Sequence, residues 1–201
     1  MSDSQNTPDS APILVTGAVG NIGRQVVSGL LAAGRPVRAA DINPDAVREA
    51  FGPRVQAVRF DFTDASTWDD TFKGVEIMFL MRPPQLSNIA RDMAPSLEAA
   101  KAAGIKHVVL LSLQGAEGNK VVPHAKIEAW LRESGLAWTF VRPSFFMENL
   151  TGTHVSDIRE RDEIMVPAGK GATSFVAASD IADVAVVALL DPAAHRMRAW
   201  T

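Results

Sequence analysis

Three glycines recur at intervals of three residues in the segment "ILVTGAVGNIGRQVV", residues 13–27. An apolar run precedes them and a helical pattern follows, so the segment predicts a strand, a tight turn and a helix. In that context Gly17 allows the turn, Gly20 lets a pyrophosphate approach the backbone, and Gly23 lets the helix pack closely. Unpaired N–H groups at the helix start would then face the phosphates. The predicted dinucleotide contacts are Gly17, Val19, Gly20, Asn21, Ile22 and Gly23. The alternative is a set of turn glycines in an α/β protein of another kind.

Asp41 ends the second predicted strand, a little over twenty residues after the first of these glycines. A carboxylate there can accept hydrogen bonds from the adenosine ribose of NAD and repels the additional phosphate of NADP. The sequence therefore favours NAD, but Arg24 and Arg38 could bind a 2′-phosphate, so NADP stays open. Asp41 could instead begin a turn with Asn43 and Pro44.

Two later strand ends carry further candidate cofactor contacts. Asp61 and Phe62 follow the third predicted strand, where an adenine would lie. Met81, Arg82 and Pro83 stand at the end of the fourth, at the carboxyl edge where ligands of open parallel sheets bind. A rigid turn is an equally good explanation of the proline.

Short β-rich runs alternate with helix-length segments from residue 12 onward. This alternation predicts an α/β fold with a doubly wound, mostly parallel sheet. The predicted strands are 12–16, 36–41, 54–60, 75–81, 107–113 and 136–142. The predicted helices are 22–33, 44–51, 66–73, 86–103 and 122–134. A final helix is expected in "SDIADVAVVALLDP", with Ser179 and Asp180 as caps and Pro192 at its end, followed by a strand-like "MRAWT".

The composition is that of an ordinary soluble globular protein, with 47% hydrophobic and 21% charged residues in 201. A net charge of −3 leaves no basic surplus, so we expect no nucleic-acid partner. The absence of cysteine excludes disulfides and thiolate metal sites, and we predict no metal. The apolar runs are shorter than the roughly 20 residues that span a bilayer, so we expect a cytoplasmic protein without membrane contact. Residues 1–11 are predicted to be a disordered tail, and residues 12–201 a single domain with a substrate-side segment at 143–178.

The chain resembles the NmrA-like family of atypical short-chain dehydrogenases/reductases from about residue 12 to its end. The resemblance is carried by "VTGAVGNIGRQV", "FLMRPP", "HVVLLSLQGAE", "HAKIEAWLRESGLAWTFVRPSFFMENL" and "VPAGKGATSFVAASDIADVAVVALLDPAAH". It implies a Rossmann sheet that binds NAD(P). Members of the family include quinone, azo-dye and triphenylmethane-dye reductases, and also redox-sensing regulators that bind the cofactor without catalysis.

The catalytic residues of the wider superfamily carry over only in part. Its Tyr-x-x-x-Lys pair has no match, because the chain contains no tyrosine. Ser112 matches the serine at the end of the fifth strand. Anchored on Glu128, the lysine position falls on His124 and the tyrosine position on Lys120. His124, which could donate a proton near neutral pH, and Lys126 are the titratable groups best placed to assist. The candidate catalytic residues are thus Ser112, His124 and Lys126, although a surface or capping role for the histidine stays open.

The resemblance also implies a substrate pocket lined by Phe145, Phe146, Met147 and Asn149. Aromatic and methionine side chains suit a flat, apolar acceptor. Phe146 could instead be ordinary core. Family members usually continue several tens of residues beyond the "DPAAH" segment, so we expect a short, truncated C-terminal substrate-side region that a second subunit could complete as a homodimer.

Two functions fit these features. The favoured one is an NAD(P)-dependent oxidoreductase that transfers hydride to a small planar acceptor such as a quinone or a dye. The alternative is a non-catalytic NAD(P)-sensing regulatory protein, which the missing tyrosine and the short C-terminal region support. A sugar-nucleotide epimerase is disfavoured because its chemistry depends on the absent tyrosine.

Overall fold

The computed structural model describes residues 11–164 and 171–201. The strands are β1 (Ile13–Thr16), β2 (Val37–Asp41), β3 (Gln56–Arg59), β4 (Ile77–Met81), β5 (His107–Leu111), β6 (Ala137–Val141), β7 (Phe145–Phe146), β8 (Phe175–Val176) and β9 (Arg198–Trp200). The α-helices are α1 (Asn21–Ala32), α2 (Pro44–Phe51), α3 (Trp68–Phe72), α4 (Ile89–Asp92), α5 (Ala94–Ala102), α6 (Pro123–Glu133), α7 (Glu148–Thr151), α8 (Val155–Arg161), α9 (Ala178–Leu190) and α10 (Pro192–His195). All but the last residue of the predicted disordered tail lies outside the described residues.

The main sheet has seven strands in the order β3-β2-β1-β4-β5-β6-β9, and neighbouring strands run parallel throughout. The prediction of a doubly wound parallel sheet is confirmed. The strand order reverses between β1 and β4, and the crevice at the carboxyl ends of two such strands is where open α/β sheets bind ligands. Each predicted strand of this sheet is present, shorter by one to three residues. Among the described residues, no helix has the length and apolar character needed to cross a bilayer.

Both faces of the sheet are covered, as the apolar strands require. Successive side chains of a strand point to opposite faces. Ile13 and Val15 therefore join a core cluster with residues of α1 and α9, whereas Leu14 joins a second cluster with residues of α5 and α6. The first and last long helices pack tightly: a Cβ on Gly29 of α1 would lie 2.8 Å from Cγ2 of Val186 in α9.

The predicted helix at 86–103 is wrong as a single element. The side chain of Asn88 accepts a hydrogen bond from the N–H of Arg91, which starts α4 at residue 89. The chain then breaks at Met93, before α5. The break has a physical cause in Pro95, which has no N–H to donate to the carbonyl of Arg91 and whose ring clashes with that carbonyl.

The start of α9 also differs from the prediction. Ser179 and Asp180 lie inside its first turn and do not cap it. Instead both carboxylate oxygens of Glu148 accept from the N–H of Ala178, at 2.9 and 3.1 Å. The cap therefore comes from a residue 30 positions earlier in the chain, which no local sequence rule would find.

Candidate functional site

A cleft of about 500 Å³ opens at the carboxyl ends of β1, β2 and β4. Most of the residues predicted to contact the cofactor line it, namely Gly17, Val19, Gly20, Asp41, Asp61, Phe62, Met81 and Pro83. The lining also includes residues 84–86, which follow β4. Asn21, Ile22 and Gly23 form the first turn of α1 behind this lining.

The glycine turn is built from close contacts. Gly17 has φ +63°, a left-handed conformation, and a Cβ on it would lie 2.2 Å from Cε of Met81. A Cβ on Gly23 would lie 2.1 Å from the carbonyl oxygen of Gly17. Gly20 differs, because its φ is −71° and a Cβ there would lie 3.2 Å from the flexible Met81 methyl and 3.3 Å from the Gly17 carbonyl oxygen, without a severe clash. Folding requires glycine at residues 17 and 23 far more strictly than at residue 20, which fits a ligand approaching the backbone at the middle position.

The N-terminus of α1 is open to an anion. Among the described residues, no side chain caps this helix, and its first turn carries no acidic residue. The next helix, α2, is different, because the side chain of Asn43 accepts from the N–H groups of Asp45 and Ala46. Uncapped N–H groups with the positive end of the helix dipole attract phosphates. The turn and the helix start therefore fit the pyrophosphate of a dinucleotide.

Two carboxylates, those of Asp41 and Asp61, line the cleft. Asp41 accepts a long hydrogen bond of 3.3 Å from the N–H of Asn43, so it takes part in the turn that the sequence left open as an alternative. Asp61 accepts from both the N–H and the hydroxyl of Thr63, at 2.8 and 2.7 Å. Phe62 is buried beside them and packs in the core.

The two arginines that could bind a 2′-phosphate are turned toward other groups. Nη1 of Arg38 donates to the carbonyls of Thr71 and Lys73, at 3.0 and 2.6 Å. The guanidinium of Arg24 lies 5.9 Å from the centre of the Phe51 ring. Neither arginine lines the cleft.

Ser112 is buried, and its hydroxyl donates to Oε1 of Glu128 at 2.6 Å. The same carboxylate accepts two hydrogen bonds from Arg142, at 2.9 and 2.7 Å, and one from Arg132 at 2.9 Å. Burial acts to raise the pKa of Glu128, but the hydrogen bonds from Arg142 and Ser112 outweigh it and the pKa lies below its usual value. The Ser112 proton is therefore directed at an ionised carboxylate, and a catalytic role for this serine stays a prediction.

Glu128 was not among the predicted site residues, although it is the acceptor at the centre of this buried network. Its position in the helix pattern could have indicated this role. Glu128 lies beside Ile127 on the buried face of α6, where a charge needs a partner.

His124 lies in the first turn of α6, with its Nδ1 buried. Burial, and next the charge of Arg82, lower its pKa from 6.5 to about 4, against an opposing effect of Glu128. At pH 7 the His124 imidazole is therefore uncharged. A neutral imidazole can still donate a hydrogen bond, so a catalytic role stays a prediction. Lys126, the third candidate, is exposed.

The predicted substrate residues follow β6 and do not line the cleft of about 500 Å³. Phe145 and Phe146 form β7, which pairs with β8, and the Phe145 ring lies 5.3 Å from that of Phe175. Phe146 packs against the core cluster that contains α1 and α9, as the alternative interpretation expected. Met147 is 48% exposed, and Asn149 is half-buried. A second cavity of about 390 Å³ opens beside them, with Pro143, Ser144, Ser174 and Trp200 in its lining.

Comparisons with known proteins agree with this geometry. Residues 17–192 match the model of the NAD(P)H-binding family. The chain is 37% identical over 195 residues to the NAD(P)H azoreductase of Xenophilus azovorans, covering 94% of this chain and 66% of the azoreductase. Three curated relatives, this one included, are matched over 62% to 66% of their own length, so the chain spans less than two thirds of them.

Two solved structures share the fold. One is the NADPH-dependent quinone oxidoreductase of Escherichia coli complexed with NADPH, with a TM-score of 0.82 and 24% identity over 94% of this chain and 68% of that chain. The other is the Citrobacter sp. triphenylmethane reductase complexed with NADP(H), with a TM-score of 0.79 and 23% identity over the same shares. The family match over residues 17–192, together with the parallel sheet and the glycine turn, shows that this chain belongs to the NAD(P)H-binding family.

Proposed function

We propose that this protein is an NAD(P)H-dependent oxidoreductase that passes hydride to a small planar acceptor such as a quinone or a dye. The observation that carries the proposal is the uncapped start of α1 behind a glycine turn that opens into the cleft of about 500 Å³. Relatives named as an azoreductase and a quinone oxidoreductase support the acceptor class.

When bound, the reduced nicotinamide supplies the hydride. The chain's own contribution is to hold two reactants in contact, which can remove roughly 7–11 kcal/mol from a bimolecular barrier. Protein groups offer little proton donation, because Ser112 donates to Glu128 and His124 is neutral at pH 7. Acceptors that take hydride without an acid, such as quinones and delocalised dyes, therefore suit the site better than simple ketones.

We also propose that NADH is preferred over NADPH. Asp41 lines the cleft, and a carboxylate there would repel a 2′-phosphate. The guanidinium groups of Arg38 and Arg24, which could offset that repulsion, are directed to carbonyls and to an aromatic ring.

The NADH preference can be tested with one substitution and a matched control. Asp41→Ser should shift the ratio of the two dissociation constants toward NADPH by about tenfold, since the charge repulsion is removed. Asp45→Ser removes a nearby exposed carboxylate that does not line the cleft, and should leave the ratio unchanged. An unchanged ratio in Asp41→Ser would contradict the preference proposed here.

A second candidate is a cofactor-sensing protein without catalysis, favoured by the enclosed hydroxyl of Ser112. To separate the two functions, purified protein is mixed with NADH or NADPH and a panel of quinones and dyes, while nicotinamide absorbance and binding heat are followed. We expect oxidation of the nucleotide that depends on the acceptor. Binding without oxidation across the panel would favour the sensor, and no binding of either nucleotide would exclude both functions.

A further inference from the structure

The loop after β4, residues 83–86, folds around one side chain. Nη1 of Arg82 lies 2.9 Å from the carbonyl oxygen of Pro83, 3.0 Å from that of Pro84 and 2.9 Å from that of Leu86. Three carbonyls thus converge on a single guanidinium nitrogen from three positions of one short loop.

The loop needs this donor because its sequence removes others. Pro83 and Pro84 have no backbone N–H, so neither can donate a main-chain hydrogen bond within the loop. The N–H of Leu86 donates to the carbonyl of Pro83 at 3.1 Å. Charged donors form stronger hydrogen bonds than neutral ones, so Arg82 is the stronger restraint on the loop.

This loop is a wall of the cofactor cleft. Residues 83–86 all line the cleft that contains the glycine turn and Asp41, whereas the Arg82 side chain does not belong to that lining. A wall made of two prolines and an ordered turn presents a fixed surface to a bound nucleotide. Its order depends on a group that stands behind it.

We propose that Arg82 is a positioning residue for cofactor binding: its guanidinium holds the 83–86 loop in place as the cleft wall and does not itself contact the nucleotide. This inference rests on the proposed function, because the loop can affect binding only if a nicotinamide nucleotide occupies the cleft. It replaces the sequence-based expectation of a direct cofactor contact for Arg82 with an indirect role.

The chain offers a matched control in Arg38. This arginine also donates to two main-chain carbonyls, those of Thr71 and Lys73, and burial lowers the pKa of both guanidinium groups. Residues 71 and 73 lie at the end of α3, and neither lines the cleft. Loss of Arg38 therefore removes the same kind of interaction without loosening the wall.

The test measures NADH dissociation constants by fluorescence titration for the parent protein, Arg82→Met, Arg82→Lys and Arg38→Met. Arg82→Met should bind about tenfold more weakly, since charged hydrogen bonds that order the wall are lost. Arg82→Lys should stay within about threefold of the parent, because an ammonium group can also donate to three carbonyls. Arg38→Met should bind NADH like the parent.

A second measurement needs no cofactor. Amide hydrogen exchange of the segment that contains residues 85 and 86 should become faster in Arg82→Met and stay unchanged in Arg38→Met. The proposal is overturned if this exchange does not change, if Arg82→Met binds like the parent, or if Arg82→Lys loses as much affinity as Arg82→Met, which would indicate direct contact. If the parent itself binds no nucleotide, the proposed function fails, and unchanged exchange in Arg82→Met would still refute the restraint of the loop.

Discussion

The two halves of this protein use their polar groups in opposite ways. In the cofactor half, which comprises β1 to β4 with α1 to α3, the groups available to a ligand include main-chain N–H groups at the glycine turn and the uncapped start of α1, and the carboxylates of Asp41 and Asp61. In the acceptor half, which comprises β5 to β9 with α6 to α10, Ser112, Glu128 and Arg142 bind one another in the interior.

This difference shows how binding and chemistry are divided in the molecule. Backbone groups are placed by the fold itself, so the cofactor half can be ready for its ligand before binding. The side chains of the acceptor half that could assist a reaction instead connect β5, α6 and β6 to one another. The cofactor half offers main-chain groups to a ligand, and the acceptor half contains a buried polar network.

The largest loss of stability is expected when the carboxylate at the centre of the buried network is removed. Glu128→Ala should lower the free energy of unfolding by about 3–5 kcal/mol, because it leaves Arg142 buried without its carboxylate. Glu117→Ala removes a carboxylate that also pairs with Arg142, at 3.1 Å, but is half exposed, so it should cost less than about 1 kcal/mol. Urea unfolding of both variants and the parent measures these free energies. Equal losses would mean that Glu128 is not the structural centre described here.

Acid should destabilise the acceptor half through His107, which is buried in β5. The Thr139 hydroxyl donates to the carbonyl of His195 at 2.8 Å, so it accepts from Nε2 of His107 at 2.9 Å. Burial, and next the charges of Arg196 and His195, lower the pKa of His107 from 6.5 to about 4.

Between about pH 6.5 and pH 4 the unfolded state takes up a proton that the folded state does not, so stability falls as pH falls, by roughly 3 kcal/mol for His107. Above that range His107 is neutral in both states and contributes no slope. His107→Gln keeps a donor for Thr139 and should flatten the decline in denaturant unfolding measured across this range. If the unfolding free energy of this variant falls with pH as steeply as that of the parent, His107 is not the cause of the decline.

In the cofactor half, two neighbouring glycines separate ligand binding from folding. Gly20→Val should fold within about 1 kcal/mol of the parent yet weaken NADH binding by about 100-fold, since its side chain occupies the approach of the pyrophosphate. Gly23→Ala should instead destabilise the fold, because its Cβ would lie 2.1 Å from the Gly17 carbonyl oxygen. Thermal melts and titration with NADH separate the two effects. Tight binding by Gly20→Val would show that the turn does not contact the phosphates.

The smallest effect on function is expected at Ser112. Ser112→Ala removes one hydrogen bond to the ionised Glu128 and should cost about 1.5–3 kcal/mol of stability. Turnover with a quinone should change less than about threefold, because the hydroxyl is directed at a carboxylate inside the protein. A loss of 100-fold in kcat with an unchanged melting curve would instead assign Ser112 to the chemistry.

The cofactor half could be predicted from sequence because its signals are local. A strand, a turn and a helix are recorded in adjacent residues, and Asp41 and Met81 stand at strand ends that the topology brings together. The acceptor half was less predictable because its decisive contacts are distant in sequence. Glu148 caps a helix that begins 30 residues later, and the neutral state of His124 depends on burial and on the charge of Arg82. The unperturbed pKa used at the sequence level contains neither effect.

The packing of Gly29 against Val186 has a consequence for synthesis of the chain. A ribosome releases α1 long before α9, so the apolar face of α1 that packs on α9 stays uncovered until residues 178–190 have emerged. Closing so long a loop is entropically costly and slows folding. Nascent chains that stall before residue 178 would expose that face, and they should be the species that chaperones hold and that aggregates recruit.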